Sequence, residues 1–269
     1  MNPGRGRRSI RIACWNVNSV RARLPLIERF VNTTRPDVLC LQETKVEDSS
    51  FPLDFFAKQG YTSALLRGQR AYHGVAILSR FDLGSGETND WCGKGDARHI
   101  AGRLPGGVVL HNFYVPAGGD VADPQINDKF AHKLDFLDEM IEWSSSLGGP
   151  TILLGDLNVA PSEDDVWSAK ALRNVVSFTE PERCRLQEIL GGHAWVDTHR
   201  LFSPRPQKLY SWWSYRSPDW AVSNRGRRLD HVWVSPELAK LTTNAEIWTV
   251  ARGWERPSDH APLLLDIKL

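Results

Sequence analysis

The strongest constraint on what this chain can fold into is a series of short apolar runs, several of which stop at an acid or an amide. Residues 9–15 alternate, with Ile10, Ile12 and Cys14 on one face of a half-buried strand that ends at Asn16. Val38-Leu39-Cys40-Leu41 reads as a buried strand that delivers Gln42 and Glu43, and further strand-like runs occupy 74–79, 108–115, 151–154, 229–234 and 263–269. Helical spacing fills much of the sequence between them. Residues 21–32 place Leu24, Ile27 and Val31 on one stripe, with Pro25 in the first turn. Residues 128–147 do the same with Phe130, Leu134, Leu137 and Ile141, and stop at Gly148-Gly149-Pro150. Ser235-Pro236-Glu237 opens another helix as cap, proline and first-turn acid. No repeat, low-complexity tract or long linker interrupts the 269 residues. The pattern predicts one α/β (α+β) unit over 9–269, with sheets covered by helices, preceded by a basic tail at 1–8.

Charge and cysteine usage narrow the function. Thirty-three Lys and Arg against 32 Asp and Glu leave a net charge of +1, so affinity for a polyanion has to come from local clustering. Such a cluster lies at 200–228: Arg200, Arg205, Lys208, Arg216, Arg225, Arg227 and Arg228 with the single acid Asp219, interleaved with Phe202, Tyr210, Trp212, Trp213, Tyr215 and Trp220. Positive charge to grip phosphates and rings to stack on bases suit a protein that reads backbone shape rather than sequence; a surface loop with core-anchoring aromatics is the structural alternative. The four cysteines form no CxxC pair, which argues against a zinc ribbon or a disulfide framework and fits a reducing compartment, with Cys14 and Cys40 as core residues. No stretch approaches the roughly 18 apolar residues of a membrane span, and no apolar segment follows the basic start. A cytoplasmic, monomeric protein with no membrane partner is expected.

The chemistry gathers where the strands stop. Asn16, Glu43, Asp156, Asn158 and Asp230 all lie at or just beyond an apolar run, so a shared sheet edge would make a carboxylate-rich site. Carboxylate and amide oxygens without thiols suit a hard divalent cation such as Mg²⁺, which takes one or two carboxylates plus substrate phosphate. In Leu154-Gly155-Asp156-Leu157-Asn158 the acid and amide stand two residues apart and face the same way in extended chain. An Asx turn capping a helix at Pro161-Ser162-Glu163 is the alternative reading. Ser258-Asp259-His260 offers an imidazole with an adjacent acid, and a lone histidine is more often structural than catalytic. Asp230, in Arg228-Leu229-Asp230-His231, is placed to orient His260 through its ring N–H and favour the imidazolium.

Trp15-Asn16-Val17-Asn18, Leu41-Gln42-Glu43-Thr44-Lys45, Gly74-Val75-Ala76-Ile77-Leu78-Ser79-Arg80, Asn112-Phe113-Tyr114-Val115-Pro116, Gly155-Asp156-Leu157-Asn158, Arg228-Leu229-Asp230 and Ser258-Asp259-His260 occur in this order. Over about residues 11–267 this resembles the exonuclease III/AP endonuclease family. The resemblance implies a four-layer sandwich, two packed mixed β-sheets flanked by helices. It implies an enzyme that uses Mg²⁺, with Mn²⁺ as a substitute, on double-stranded DNA bearing abasic sites or 3′ ends: incision 5′ to the abasic site, 3′-to-5′ exonuclease action and 3′-phosphatase action.

Carried over residue by residue, the resemblance makes Glu43 a principal metal ligand with Asn16 beside it, and adds Asp259, Asp156, Asn158 and His260 to the metal side. Asp156 would position and deprotonate the attacking water, Asn158 would hold water or phosphate, and Tyr114 would contact the scissile phosphate or leaving oxygen. His260, paired with Asp230, would stabilise charge on phosphorus. Trp212 would pack on the deoxyribose of an abasic site with Leu229 lining the pocket, Trp213 being core; Lys45 and Arg98 match basic positions that face the phosphate backbone, with solvated surface charge as their alternative. Arg216, Asn224 and Arg225 complete the candidate DNA contacts. Ala117, Asn18 and Arg227 depart from the pattern, where relatives often carry Asn or Gln, Asp, and an apolar residue. Two other readings share these residues: a same-fold phosphodiesterase or phosphatase acting on RNA or a phosphoinositide, and a non-catalytic nucleic-acid-binding relative.

Overall fold

The computed structural model describes residues 8–217 and 219–269. The basic tail expected at 1–8 therefore lies outside the described residues apart from Arg8. Among the described residues eleven strands alternate with helices: β1 Ser9–Asn16, β2 Val38–Gln42, β3 Ser63–Arg67, β4 Val75–Ser79, β5 His99–Arg103, β6 Val109–Tyr114, β7 Thr151–Asp156, β8 Val196–Asp197, β9 Asp230–Val234, β10 Thr242–Ile247 and β11 Leu263–Lys268. They form two sheets, one ordered β10-β11-β1-β2-β4-β3 and the other β5-β6-β7-β9-β8. Both are mixed. β1 runs parallel to β2 and β6 parallel to β7, while the remaining pairs are antiparallel.

Side-chain alternation sorts the apolar residues into layers. Ile10, Ile12, Cys14, Cys40 and Ile77 of the first sheet meet Leu110, Ile152, Leu154 and Val232 of the second in the inter-sheet core. The opposite face of the first sheet, with Ala13, Trp15, Leu39 and Leu41, packs on Ile27, Phe30 and Val31 of α1 (Leu24–Thr34) and on Phe56 of α2 (Leu53–Lys58). The outer face of the second sheet, with Phe113, Leu153 and Trp233, is covered by α3 (Asp128–Ser146) and by the helix Glu180–Gly192, which together contribute Phe136, Leu137, Met140, Leu186 and Ile189. Helix, sheet, sheet and helix make the expected four layers. Cys14 and Cys40 are buried and unbridged, as the sequence suggested.

One polar tie crosses the apolar interior. Asn112 of β6 accepts from Gln42 of β2 at 2.6 Å and donates to the carbonyls of Leu41 and Ala76, all in the first sheet. A buried amide that finds partners on two strands of the opposing sheet permits one alignment of the sheets and penalises others. That alignment sets where the strand ends fall.

Candidate active site

Six side chains converge because strand ends of both sheets meet at one end of the sandwich. Asn16 is the last residue of β1, Glu43 follows β2, Tyr114 ends β6 and Asp156 ends β7. Asp230 begins β9, and antiparallel pairing sets it opposite Asp156. His260 arrives on the loop entering β11, where Ser258 locks it: the Ser258 hydroxyl donates to the Asn16 carbonyl at 2.7 Å and accepts from the His260 N–H at 3.2 Å. Gly155, with φ of 141°, lets β7 run hard against β6, since a Cβ there would lie 1.9 Å from the Phe113 carbonyl oxygen. Non-glycine residues in the left-handed region cluster here, at Asn18, Glu43, Lys45 and Asn158. Such strain persists only where the surroundings hold it, and it concentrates at functional sites.

Asn16 bridges the two principal carboxylates, its Nδ2 donating to Glu43 Oε1 and to Asp156 Oδ2, each at 2.9 Å. Asp156 is buried, and accepts from the Asn158 backbone N–H at 3.0 Å and from Asn158 Nδ2 at 3.1 Å. An Asx turn thus forms at Asp156, but it caps no helix, the following helical turn Glu163–Asp165 having Ser162 as its N-cap; it holds the carboxylate. Burial raises the Asp156 carboxyl to about 7. His260 Nδ1 meets Asp230 Oδ2 at 2.8 Å and its Nε2 faces Asp156 Oδ2 at 3.7 Å. Burial opposes the imidazolium, but Asp230 and Asp156 outweigh it and hold His260 well above its ordinary value. Asp230 is itself fixed by the Ser211 hydroxyl at 2.6 Å.

Glu43 collects a second set of partners. The Tyr114 hydroxyl donates to Oε1 at 3.0 Å and the Lys45 ammonium lies 2.8 Å from Oε2. Burial pushes the Glu43 carboxyl up, but the Asn16 amide and Lys45 overcome it, so Glu43 is held ionised below its usual range. Lys45 also reaches Asn18 Oδ1 at 2.5 Å, and Asn18 Nδ2 faces Asp259 at 3.4 Å. A carboxylate that draws a cation to it, among amide and carboxylate oxygens, fits a hard divalent ion. Asp156, Asp230 and His260 also place one potential ligand atom each within 4.8 Å of one another. Within that trio His260 bonds Asp230 through Nδ1, while its Nε2 faces Asp156 at a distance beyond a hydrogen bond. Asn16 and Asn158 direct their amide nitrogens at the carboxylates.

The expected DNA contacts divide. Arg216, Asn224 and Arg225 are exposed on the 200–228 segment, and Trp212 is half-buried with its Nε1 donating to Asp259 Oδ2 at 2.9 Å. Trp212, Arg216, Arg225 and Arg227 line a cleft of about 770 Å³ beside the site. Trp213 is core, at 3% exposure. One expectation needs correcting. Arg98 is 6% exposed, bonded to Asp96 at 3.0 Å and stacked on the Tyr114 ring, so it supports Tyr114 from within. Leu229 is 4% exposed and sits in a core cluster with Phe178, Leu172 and Val166 beneath Trp212. Several charges of the 200–228 segment are also spent internally: Arg228 and Arg200 pair with buried Asp165, and Lys208 donates to the carbonyls of Glu163 and Val166. Sequence reasoning missed Ser211 and Ser258 as supports, although both lie inside motifs it singled out.

Carboxylates, an imidazolium and phenol at one end of the paired sheets, with arginines beside them, suit hydrolysis of phosphate esters. The chain belongs to the endonuclease/exonuclease/phosphatase family, whose model matches residues 13–260. It is 31% identical to an exodeoxyribonuclease III of Haemophilus influenzae over 94% of this chain and 98% of that one. Its fold is similar to that of an AP endonuclease from Archaeoglobus fulgidus, with a TM-score of 0.89 and 31% identity over 97% of this chain and all of the other. It is equally similar, with a TM-score of 0.89 and 29% identity over 97% of this chain and 100% of that one, to the 3′ phosphatase NExo from Neisseria, solved with a product DNA hairpin. These relatives mark the chain as a nuclease-type hydrolase. Among the described residues no helix is long and apolar enough to cross a membrane.

Proposed function

We propose that this chain is a Mg²⁺-dependent DNA repair phosphodiesterase that incises 5′ to abasic sites and acts on duplex 3′ ends as a 3′-to-5′ exonuclease and 3′-phosphatase. The observation that carries the reading is the buried Asp156 carboxylate, held by Asn16 and Asn158 and facing an imidazolium that Asp230 fixes. A phosphodiester is an anion, and an oxygen nucleophile adds more negative charge, so a base and a cation must act together at one phosphorus.

In this reading Asp156 orients water and takes its proton as oxygen attacks phosphorus. The His260 imidazolium, held by Asp230, stabilises the charge that builds on the pentacoordinate phosphorus. Tyr114 contacts the phosphate or leaving oxygen, and Asn158 holds water or phosphate. Glu43, with Asp259 on the same side, would hold the divalent ion. That ion supplies Lewis-acid stabilisation of phosphate charge. Trp212 would meet the sugar at the lesion, and Arg216, Asn224, Arg225 and Lys45 the DNA backbone.

The test is a 5′-labelled duplex with one central tetrahydrofuran abasic analogue, incubated with Mg²⁺, Mn²⁺ or EDTA and resolved on a sequencing gel. A metal-dependent band at the lesion, a ladder receding from the 3′ end, or both, is expected. No cleavage with any metal overturns the DNA reading and redirects the test to RNA and phosphoinositide substrates.

A further inference from the structure

We propose that Lys133 is a positioning residue for cleavage: from beneath the site it holds the backbone carbonyl of Asn158, and through it the seat of Asp156. The inference rests on the role given to Asn158 above. Lys133 lies on α3 and its side chain is 0% exposed, as is that of its partner Glu182 at 2.5 Å. Lysine is almost never fully buried, and a buried ion pair commonly adds no stability over apolar residues of the same volume. The pair therefore needs a reason other than stability.

The reason lies in what else the ammonium touches. Nζ donates to the Asn158 carbonyl at 2.7 Å and to the Ala117 carbonyl at 3.3 Å, which with Glu182 occupies all three donors. Those carbonyls belong to the segments that leave β7 and β6, just past Asp156 and Tyr114. Asn158 sits at φ of 54°, a conformation that must be held from outside. Its side chain meanwhile ties Asp156 Oδ2 to the Val115 carbonyl at 3.1 and 3.0 Å. At Gly118 a Cβ would meet the Lys133 stem at 2.9 Å, so the stem also shapes the loop after Tyr114. Glu182 is held in turn: it accepts from the Ser177 and Thr179 N–H groups and from the Thr179 hydroxyl at 2.6 Å. An apolar residue at 133 could fill the volume but would leave two buried carbonyls without donors.

The test uses the full-length chain on the abasic-analogue duplex. Lys133→Met is expected to lower kcat by about 10- to 100-fold with the DNA Kd within about threefold, the size seen when a supporting contact is lost. Because Lys133→Met leaves Glu182 charged in the core, the double variant Lys133→Met/Glu182→Gln restores neutrality and keeps the helix cap; its kcat is expected to stay low. Asn158→Gly keeps the left-handed backbone and the carbonyl while removing the amide. In that background Lys133→Met should cost less than about twofold in kcat, since residues acting as a unit are not additive. A double variant with wild-type kcat, or losses that multiply in the Asn158→Gly background, overturns the inference alone. Wild-type turnover by Asn158→Gly overturns the assigned role of Asn158 and the inference with it.

Discussion

His260 is flanked by carboxylates at both ring nitrogens, 2.8 Å from Asp230 and 3.7 Å from Asp156, so its charge is set by the site and not by the solvent. Asp156 stands between that imidazolium and the Asn16 bridge, and the amides of Asn16 and Asn158 donate to its oxygens. Asp156→Asn keeps the shape and removes the base. Turnover is expected to fall by about 10²- to 10⁴-fold with DNA Kd changed little, read by single-turnover cleavage alongside fluorescence-anisotropy binding. Retained turnover would take Asp156 out of its role. Asp156, Asn158 and Asp230 were legible in the sequence because an acid or amide at the end of an apolar strand has few structural uses. Arg98 was not: a basic residue in a polar stretch looks solvated until β6 brings Tyr114 over it. Lys133 was equally hidden, since one lysine on an amphipathic stripe gives no sign of a buried glutamate 49 positions later.

The strands and helices carry the site by where they stop. β7 can approach β6 closely only because residue 155 lacks a side chain. Gly155→Ala is expected to cost about 3 kcal/mol or more in urea unfolding and to reduce activity further than stability alone explains, because Asp156 moves with the strand. An unchanged urea midpoint would show that β6 yields. The strongly patterned elements were readable: the strand expected at 151–154 runs Thr151–Asp156, and the helix expected at 128–147 runs Asp128–Ser146. β3 and β10 escaped because edge strands such as Ser63–Arg67 and Thr242–Ile247 are half-exposed and show no clean alternation. The helix Glu180–Gly192 had a readable signal in its Thr179/Glu182 capping box, whereas the helix expected after Ser162 shrinks to a single 3₁₀ turn at Glu163–Asp165.

At the scale of the whole molecule the buried histidines govern acid tolerance. Burial lowers His111 and His231 to about 3 and His199 to about 4, and takes His99 well below its ordinary value. In the fold these rings are neutral, whereas in the unfolded chain they bind protons below about pH 6.5. The unfolded state then holds more protons at these rings, so their contribution to stability is complete above that pH and is lost as pH falls towards 4. Each ring contributes up to about 1.4 kcal/mol per pH unit in that window. Urea midpoints measured from pH 6.5 to 4.5 are expected to fall steeply; a flat profile over that range would mean the rings take up protons without unfolding.

The nesting of the two sheets has a further consequence. The first sheet is built from β1–β4 and β10–β11, so every strand of the second lies inside its sequence. β1 and β2 emerge early from a ribosome with Asn16 and Glu43, and Asp156 and Asp230 follow, but His260 comes only with the strand that pairs with β1. A nascent polypeptide therefore displays the acids without the imidazolium that completes them. Translation order thus separates the two halves of the cluster, and β1 gains its antiparallel neighbour only after the whole second sheet has been made.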